Sequence, residues 1–171
     1  MTNLLNQLFD YSGVVCFSSH GSLDAARAQI AKASARKLLQ AALSNEKDEA
    51  TLVGSVAVPS VKLHRVVFLS GNIFKPFFVG RLEVQDGHPR LCGKFTMGTI
   101  GRLAILLDVA VSLLTQVIML PLIGTEQGLG NLWFFAPLAF GAIGIGLALS
   151  SKWSGRKDVR WIEEQIVRAL A

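Results

Sequence analysis

The run from Leu103 to Ile123, LAILLDVAVSLLTQVIMLPLI, constrains this chain most, because as a helix it rises about 30 Å, the thickness of a bilayer's hydrocarbon core. A second apolar run, Leu132 to Ser150 (LWFFAPLAFGAIGIGLALS), is just long enough to do the same. Between them lies GTEQGLGN, a Gly-rich polar turn too short to hold a domain, so the two helices are expected to be antiparallel neighbours. Charge sets this segment apart. Between Leu103 and Ser150 only Asp108 and Glu126 are charged, whereas the first hundred residues hold 11 Lys and Arg against 7 Asp and Glu. With 51% apolar and 17% charged residues, the chain is unlike an ordinary soluble domain, where about 25% charge is usual, and unlike a disordered one. The reading is therefore a soluble α+β domain over 1–100, a transmembrane hairpin over 101–151 with spans near 103–123 and 132–150, and an amphipathic tail helix over 152–171. The apolar runs lie far behind Met1 and nothing near Met1 resembles a cleavage site, which argues against a signal peptide.

Positive charge favours the cytoplasmic side of a membrane. Lys94 and Arg102 precede the first run, Lys152, Arg156, Lys157 and Arg160 follow the second, and the intervening loop has no Lys or Arg. Both termini are expected in the cytoplasm, with Trp133, Phe134, Phe135 and Trp153 as interfacial anchors. Cys16 and Cys92 then lie in a reducing compartment, and without CxxC spacing they predict neither a disulfide framework nor a zinc site.

In the soluble domain, Leu4–Tyr11 reads as a short helix and Val14–Phe17 as a strand. Ser22 is an expected N-cap, and Asp24 favours the positive end of the helix LDAARAQIAKASARKLLQAAL, with Leu23, Ala26, Ile30, Ala33 and Leu38 along one stripe. The basic residues of this helix, Arg27, Lys32, Arg36 and Lys37, are not interleaved with aromatics and are followed by NEKDEA, so they predict a solvated face and no nucleic-acid partner. Leu52–Val58 and Val61–Leu69 are β-branched runs separated by Pro59-Ser60, and Gly71-Asn72 marks the next turn. If Asp86 and Gly87 are the central residues of a type I′ turn, opposed residues carry numbers that sum to 173. Leu82 then faces Leu91, Gly80 faces Gly93 and Phe78 faces Phe95 on one side, while Glu83 meets Arg90 and Val79 meets Lys94 on the other. One long helix on an antiparallel sheet of four or five strands follows.

The string FKPFFVGRLEVQDGHPRLCGKFTMG ahead of a hydrophobic hairpin resembles uncharacterised bacterial two-span membrane proteins with an N-F-x-P-x-F-x-G-like strand and an L-x-G-x-F strand. The matching positions are Asn72, Phe74, Pro76, Phe78, Gly80, Leu91, Gly93 and Phe95. These are structural residue types, so the resemblance implies a bacterial membrane location and no activity.

Asp108, Ser112, Thr115 and Gln116 fall on one helical face of the first run. Three readings stay open: interhelical hydrogen bonding, hydration of Asp108 near the interface, or a proton or ion path in an oligomer. On the second run Ala139, Ala142, Gly144, Gly146 and Ala148 have the small-residue spacing that lets helix backbones approach. His20, His64 and His88 have no ligand-like spacing, so no metal site is expected. Ser18 and Ser19 beside His20 do not form a nucleophile and base, because adjacent strand residues point to opposite faces. Without a phosphate loop, a carboxylate pair or an H-E-x-x-H motif, neither cofactor nor catalytic residue is assigned. In the tail, Val159, Ile162, Ile166 and Ala169 or Leu170 form a stripe expected to dock on the soluble domain or to lie at the lipid surface, docking being favoured because Glu163 and Glu164 would be repelled by anionic lipid. The functional expectation is a non-enzymatic, membrane-anchored binding or assembly module whose partners are the lipid bilayer and a second copy or another membrane protein. A channel or transporter subunit using Asp108 and Gln116, and an immunity-type protein against a membrane-targeted toxin, are the alternatives.

Overall fold

The structure is a computed structural model and describes residues 8–19, 21–34, 50–57, 59–66, 74–120 and 135–171. Its elements run β1 (Asp10–Ser18), α1 (Leu23–Ala33), β2 (Thr51–Ala57), β3 (Ser60–Val66), β4 (Pro76–Gln85), β5 (His88–Met97), α2 (Thr99–Met119) and α3 (Ala136–Leu170). The β4–β5 turn organises the sheet. Asp86 and Gly87 both have positive φ, 54° and 78°, as a type I′ turn requires. From there the ladder pairs Glu83 with Arg90, Leu82 with Leu91, Gly80 with Gly93, Val79 with Lys94 and Phe78 with Phe95. The five strands are antiparallel in the order β1-β5-β4-β3-β2, so the class is α+β.

One face of the sheet is covered. Val61, Leu63, Phe78, Leu82, Leu91 and Phe95 lie under Ala26 and Ile30 of α1 and under Ile162, Ile166 and Leu170 of α3. The Phe78 ring occupies the space left by the two glycines, since a Cβ on Gly93 would approach it to 2.7 Å and one on Gly80 to 2.7 Å. Phe17 and Phe95 flank it, with ring centroids 5.9 and 5.2 Å away. Arg65 ties α3 to the sheet through a 2.7 Å ion pair with Asp158, and its guanidinium lies 5.1 Å from the Trp161 ring centre.

Helix α1 starts where its cap residue predicts: the Ser22 hydroxyl accepts from the Ala25 N–H at 3.1 Å. It is shorter than its composition implies, because Ser34 leaves helical geometry at φ −103°, ψ 125° and the chain turns out of the helix. Residues 35–49, with NEKDE and the rest of the expected stripe, lie outside the described residues, as do residues 1–7 and the Gly71-Asn72 turn. Leu8 and Phe9 are helical, but Asp10 and Tyr11, expected at the end of that first helix, already belong to β1. Asp10 pairs with Thr96 of β5 ahead of an irregularity that ends at Val14, and Tyr11, Val15 and Phe17 all pack on the core.

The largest departure concerns α3. The sequence reading separates a span ending at Ser150 from a tail helix starting at Lys152, whereas the structure runs one helix of 35 residues through that point. Its length is about 52 Å at 1.5 Å per residue. No Gly-Pro or other breaker stands between Ser150 and Gly155, and Ser151 is held on the helix by its hydroxyl bond to the Ala148 carbonyl, 2.8 Å. The carboxyl half docks on the sheet along the expected Ile162, Ile166 and Leu170 stripe. Among the described residues one helix, α2, is long and apolar enough to cross a membrane.

Candidate functional site

Where α2 leaves the sheet it packs against the amino half of α3. The seam is made of small residues on α3: a Cβ on Gly141 would meet Ser112, and one on Gly144 would reach to 2.0 Å from the Asp108 carboxylate. Ala148 continues the seam against Ile105, and Ser151 and Gly155 continue it against Tyr11. Tyr11 is wedged between α3 and the chain before β4, donating its hydroxyl to the Phe74 carbonyl; burial raises its pKa above the usual value.

The polar stripe of α2 is thus split by the packing. Asp108 and Ser112 face α3, and the Ser112 hydroxyl bonds back to the Asp108 carbonyl at 2.8 Å. Thr115 satisfies itself on the Val111 carbonyl, also at 2.8 Å. Asp108 Oδ2 and Gln116 Oε1 are buried without a hydrogen-bond partner among the described residues. Of the small residues expected to pack, Gly144 and Ala148 are buried in the seam, while Ala139, Ala142 and Gly146 are exposed on other faces of α3. The seam residues that sequence spacing missed are Gly141, Ser151 and Gly155. Phe135 and Trp153 are exposed on α3; Trp133 and Phe134 lie outside the described residues.

The other face of the sheet is open. Pairing across four strands aligns Lys62, Val79, Lys94 and Val14 in one row and His64, Phe77, Thr96 and Asp10 in the next. At the α2 end these rows border a cavity of about 270 Å³ lined by Lys62, Phe77, Lys94, Thr96, Thr99 and Arg102, among others. Lys62 lies 5.2 Å from the Phe77 ring centre. Lys94 is paired with Asp10 at 2.8 Å, and Arg102 stands 3.9 Å from the same carboxylate. Arg102 also donates to the Met97 carbonyl at 2.9 Å and to the Thr96 hydroxyl. Lys94 and Arg102 therefore share one carboxylate, and Lys62 stands apart from it over Phe77. His64 stacks on Phe77 at 4.6 Å, and burial, followed by the charges of Lys75 and Lys62, holds its pKa below the ordinary value. The hairpin register gave Val79 opposite Lys94 on this face; what brings Lys62 and His64 beside them is the β3–β4 pairing, whose connection carries no turn signal as definite as Asp86-Gly87.

The same open face corrects the cysteine expectation. Cys16 and Cys92 are direct partners on β1 and β5, with Cα atoms 4.1 Å apart, and they form a disulfide. Their separation of 76 residues hides a pairing that only the β1–β5 register creates. His88 flanks the turn and is exposed, and His20 lies outside the described residues. Arg90, expected opposite Glu83, turns its guanidinium to Gln85 at 3.0 Å and toward Asp86 at 4.0 Å.

Compared with protein-family models, curated proteins and solved structures, the chain matches none.

Proposed function

We propose that the chain is an integral membrane protein of two spans, α2 and the amino half of α3, which hold the sheet domain at the surface of a bacterial inner membrane as a non-enzymatic binding or assembly module. The observation that supports this reading is the exposure of the helix pair: Leu103, Leu107 and Ile118 are 64%, 62% and 67% exposed, and Phe140 on α3 is 63% exposed. A contiguous apolar surface of this kind calls for lipid or a partner. From Phe135 to Trp153 the rise along α3 is about 27 Å, which matches the hydrocarbon core when both aromatic rings sit at its boundaries. The exposed Ala139, Ala142 and Gly146 then leave room on the lipid side for a helix of a second copy or of another membrane protein. The Lys and Arg asymmetry supports a cytoplasmic position for both termini.

A membrane-embedded chain stays with the pellet when membranes are washed with alkaline carbonate and enters solution only with detergent; release by carbonate alone overturns the reading. A channel or transporter subunit is the second reading, favoured by the buried, unpartnered oxygens of Asp108 and Gln116 among the described residues. The mass of the assembly in detergent separates the two: a ring of defined size supports conduction, a monomer or dimer supports the anchored module.

A further inference from the structure

We propose that the cavity between the open face of the sheet and the start of α2 binds a phosphate group, presented by the headgroup of an anionic phospholipid. The inference rests on the reading that α2 crosses the bilayer, and three observations carry it further. First, the charge is unbalanced: Lys62, Lys94 and Arg102 border the cavity, and Asp10, the carboxylate that pairs with Lys94 and approaches Arg102, offsets one of them. Second, the height is set by the helix. Its large exposed apolar side chains begin at Ile100 and Leu103, so the cavity-lining Met97, Gly98, Thr99 and Arg102 fall at the boundary of the hydrocarbon, where headgroup phosphates lie. Third, the size fits a headgroup. At about 270 Å³ the cavity lies just below the range of about 300–1,000 Å³ usual for sites that enclose drug-sized ligands.

The chemistry of the lining agrees with a phosphodiester. Lys62 is held over the Phe77 ring, and Lys94 and Arg102 are fixed by Asp10 and the β5 backbone, so the cations are positioned before an anion arrives. Thr96 and Thr99 add hydroxyls. The first turn of α2 opens beside them with Gly98 as its N-cap, no capping side chain and no acidic residue, which leaves its N–H groups without a competing carboxylate. Phe77 and Val79 supply an apolar wall for glycerol carbons.

The test uses the full chain in zwitterionic detergent and native mass spectrometry, with short-chain phosphatidylglycerol and inorganic phosphate as separate probes. The expected result is one saturable lipid. Lys62→Glu should weaken its binding by about tenfold or more, the loss of a charge-assisted contact, and Lys62→Arg should retain it. Arg81→Glu makes the same change of charge on the open face away from the cavity, and should leave binding close to that of the parent chain. Equal weakening by Lys62→Glu and Arg81→Glu, or none by either, overturns the site and leaves only diffuse attraction or no recognition. Saturable binding of inorganic phosphate without lipid overturns the headgroup assignment. Carbonate extraction of the same preparations keeps the two claims apart: a chain that stays in the membrane while both charge variants behave alike has lost the site but not its membrane location.

Discussion

At Gly87 the φ of 78° is one that a β-branched residue resists, and a Cβ there would meet nothing within 4 Å. The cost of Gly87→Val is therefore purely one of backbone conformation, and we expect a loss of about 1 kcal/mol or more, read as a lower melting temperature of the purified chain. An unchanged melting curve would mean that the turn does not hold the register. His64 gives a second residue-scale expectation. Its folded pKa lies below the unfolded value, so the unfolded chain binds the extra proton, and stability falls as pH drops through about 6.5 toward the folded pKa. His64→Phe should flatten that part of the stability profile; an equal slope in both proteins removes His64 as its source. At Asp108, by contrast, the packing against Gly144 decides the outcome. If the carboxylate serves helix packing, Asp108→Asn keeps the hydrogen-bonding shape and the helix pair survives, whereas Asp108→Leu weakens it by about 1 kcal/mol, measured as loss of crosslinking between cysteines placed on α2 and α3. Unimpaired crosslinking in the Leu variant counts against packing and turns attention to hydration or transport.

Elements were legible in the sequence to the extent that their signals were local. The β4–β5 hairpin could be read residue by residue because one turn dipeptide propagates its register through every pair from Gln85–His88 back to Pro76–Met97. Helix α1 could be started at Ser22 but not ended, because its alanine-rich composition continues beyond the point where Ser34 turns away. Helix α3 was divided because hydropathy changes abruptly near Ser151, and hydropathy reports what surrounds a helix, not whether its hydrogen bonds continue. Pairing between distant strands was the least visible. The β1–β5 register places Cys16 against Cys92, and the β3–β4 register aligns Lys62 with Lys94 across Val79; neither follows from spacing along the chain. The first of these pairings carries its own expectation. A bond closing 76 residues restricts the unfolded chain, so reduction, or Cys16→Ser, should cost about 2–4 kcal/mol of stability. Identical unfolding with and without reductant would mean that the pair stands as two thiols in the purified protein.

For the whole molecule, two physical arguments point to opposite sides of a membrane. On the proposed two-span reading, the absence of Lys and Arg from the loop after the first apolar run, against the cations around Arg102 and after Trp153, argues for the sheet domain on the cytoplasmic side. The Cys16–Cys92 bond is of a kind that persists in oxidising compartments. The charge argument is the stronger, because it acts on insertion itself, whereas the sheet brings the two sulfurs together in either redox state through strand register alone. The proposed cytoplasmic orientation carries an expectation for one experiment. In intact cells, a membrane-impermeant maleimide should label Thr125→Cys, in the loop between the apolar runs, and should not reach Cys16 or Cys92. After lysis under conditions that block exchange, Cys16 and Cys92 should alkylate only once reductant is added, as the bond between them requires. The opposite orientation predicts the reverse for the loop, with Thr125→Cys protected until lysis. That second pattern would overturn the topology while leaving the sheet, the seam between α2 and α3 and the cation-lined cavity as they are. The phosphate expected there would then belong to the outer leaflet, and the lipid probes used with the Lys62 and Arg81 variants would still decide whether the cavity binds it.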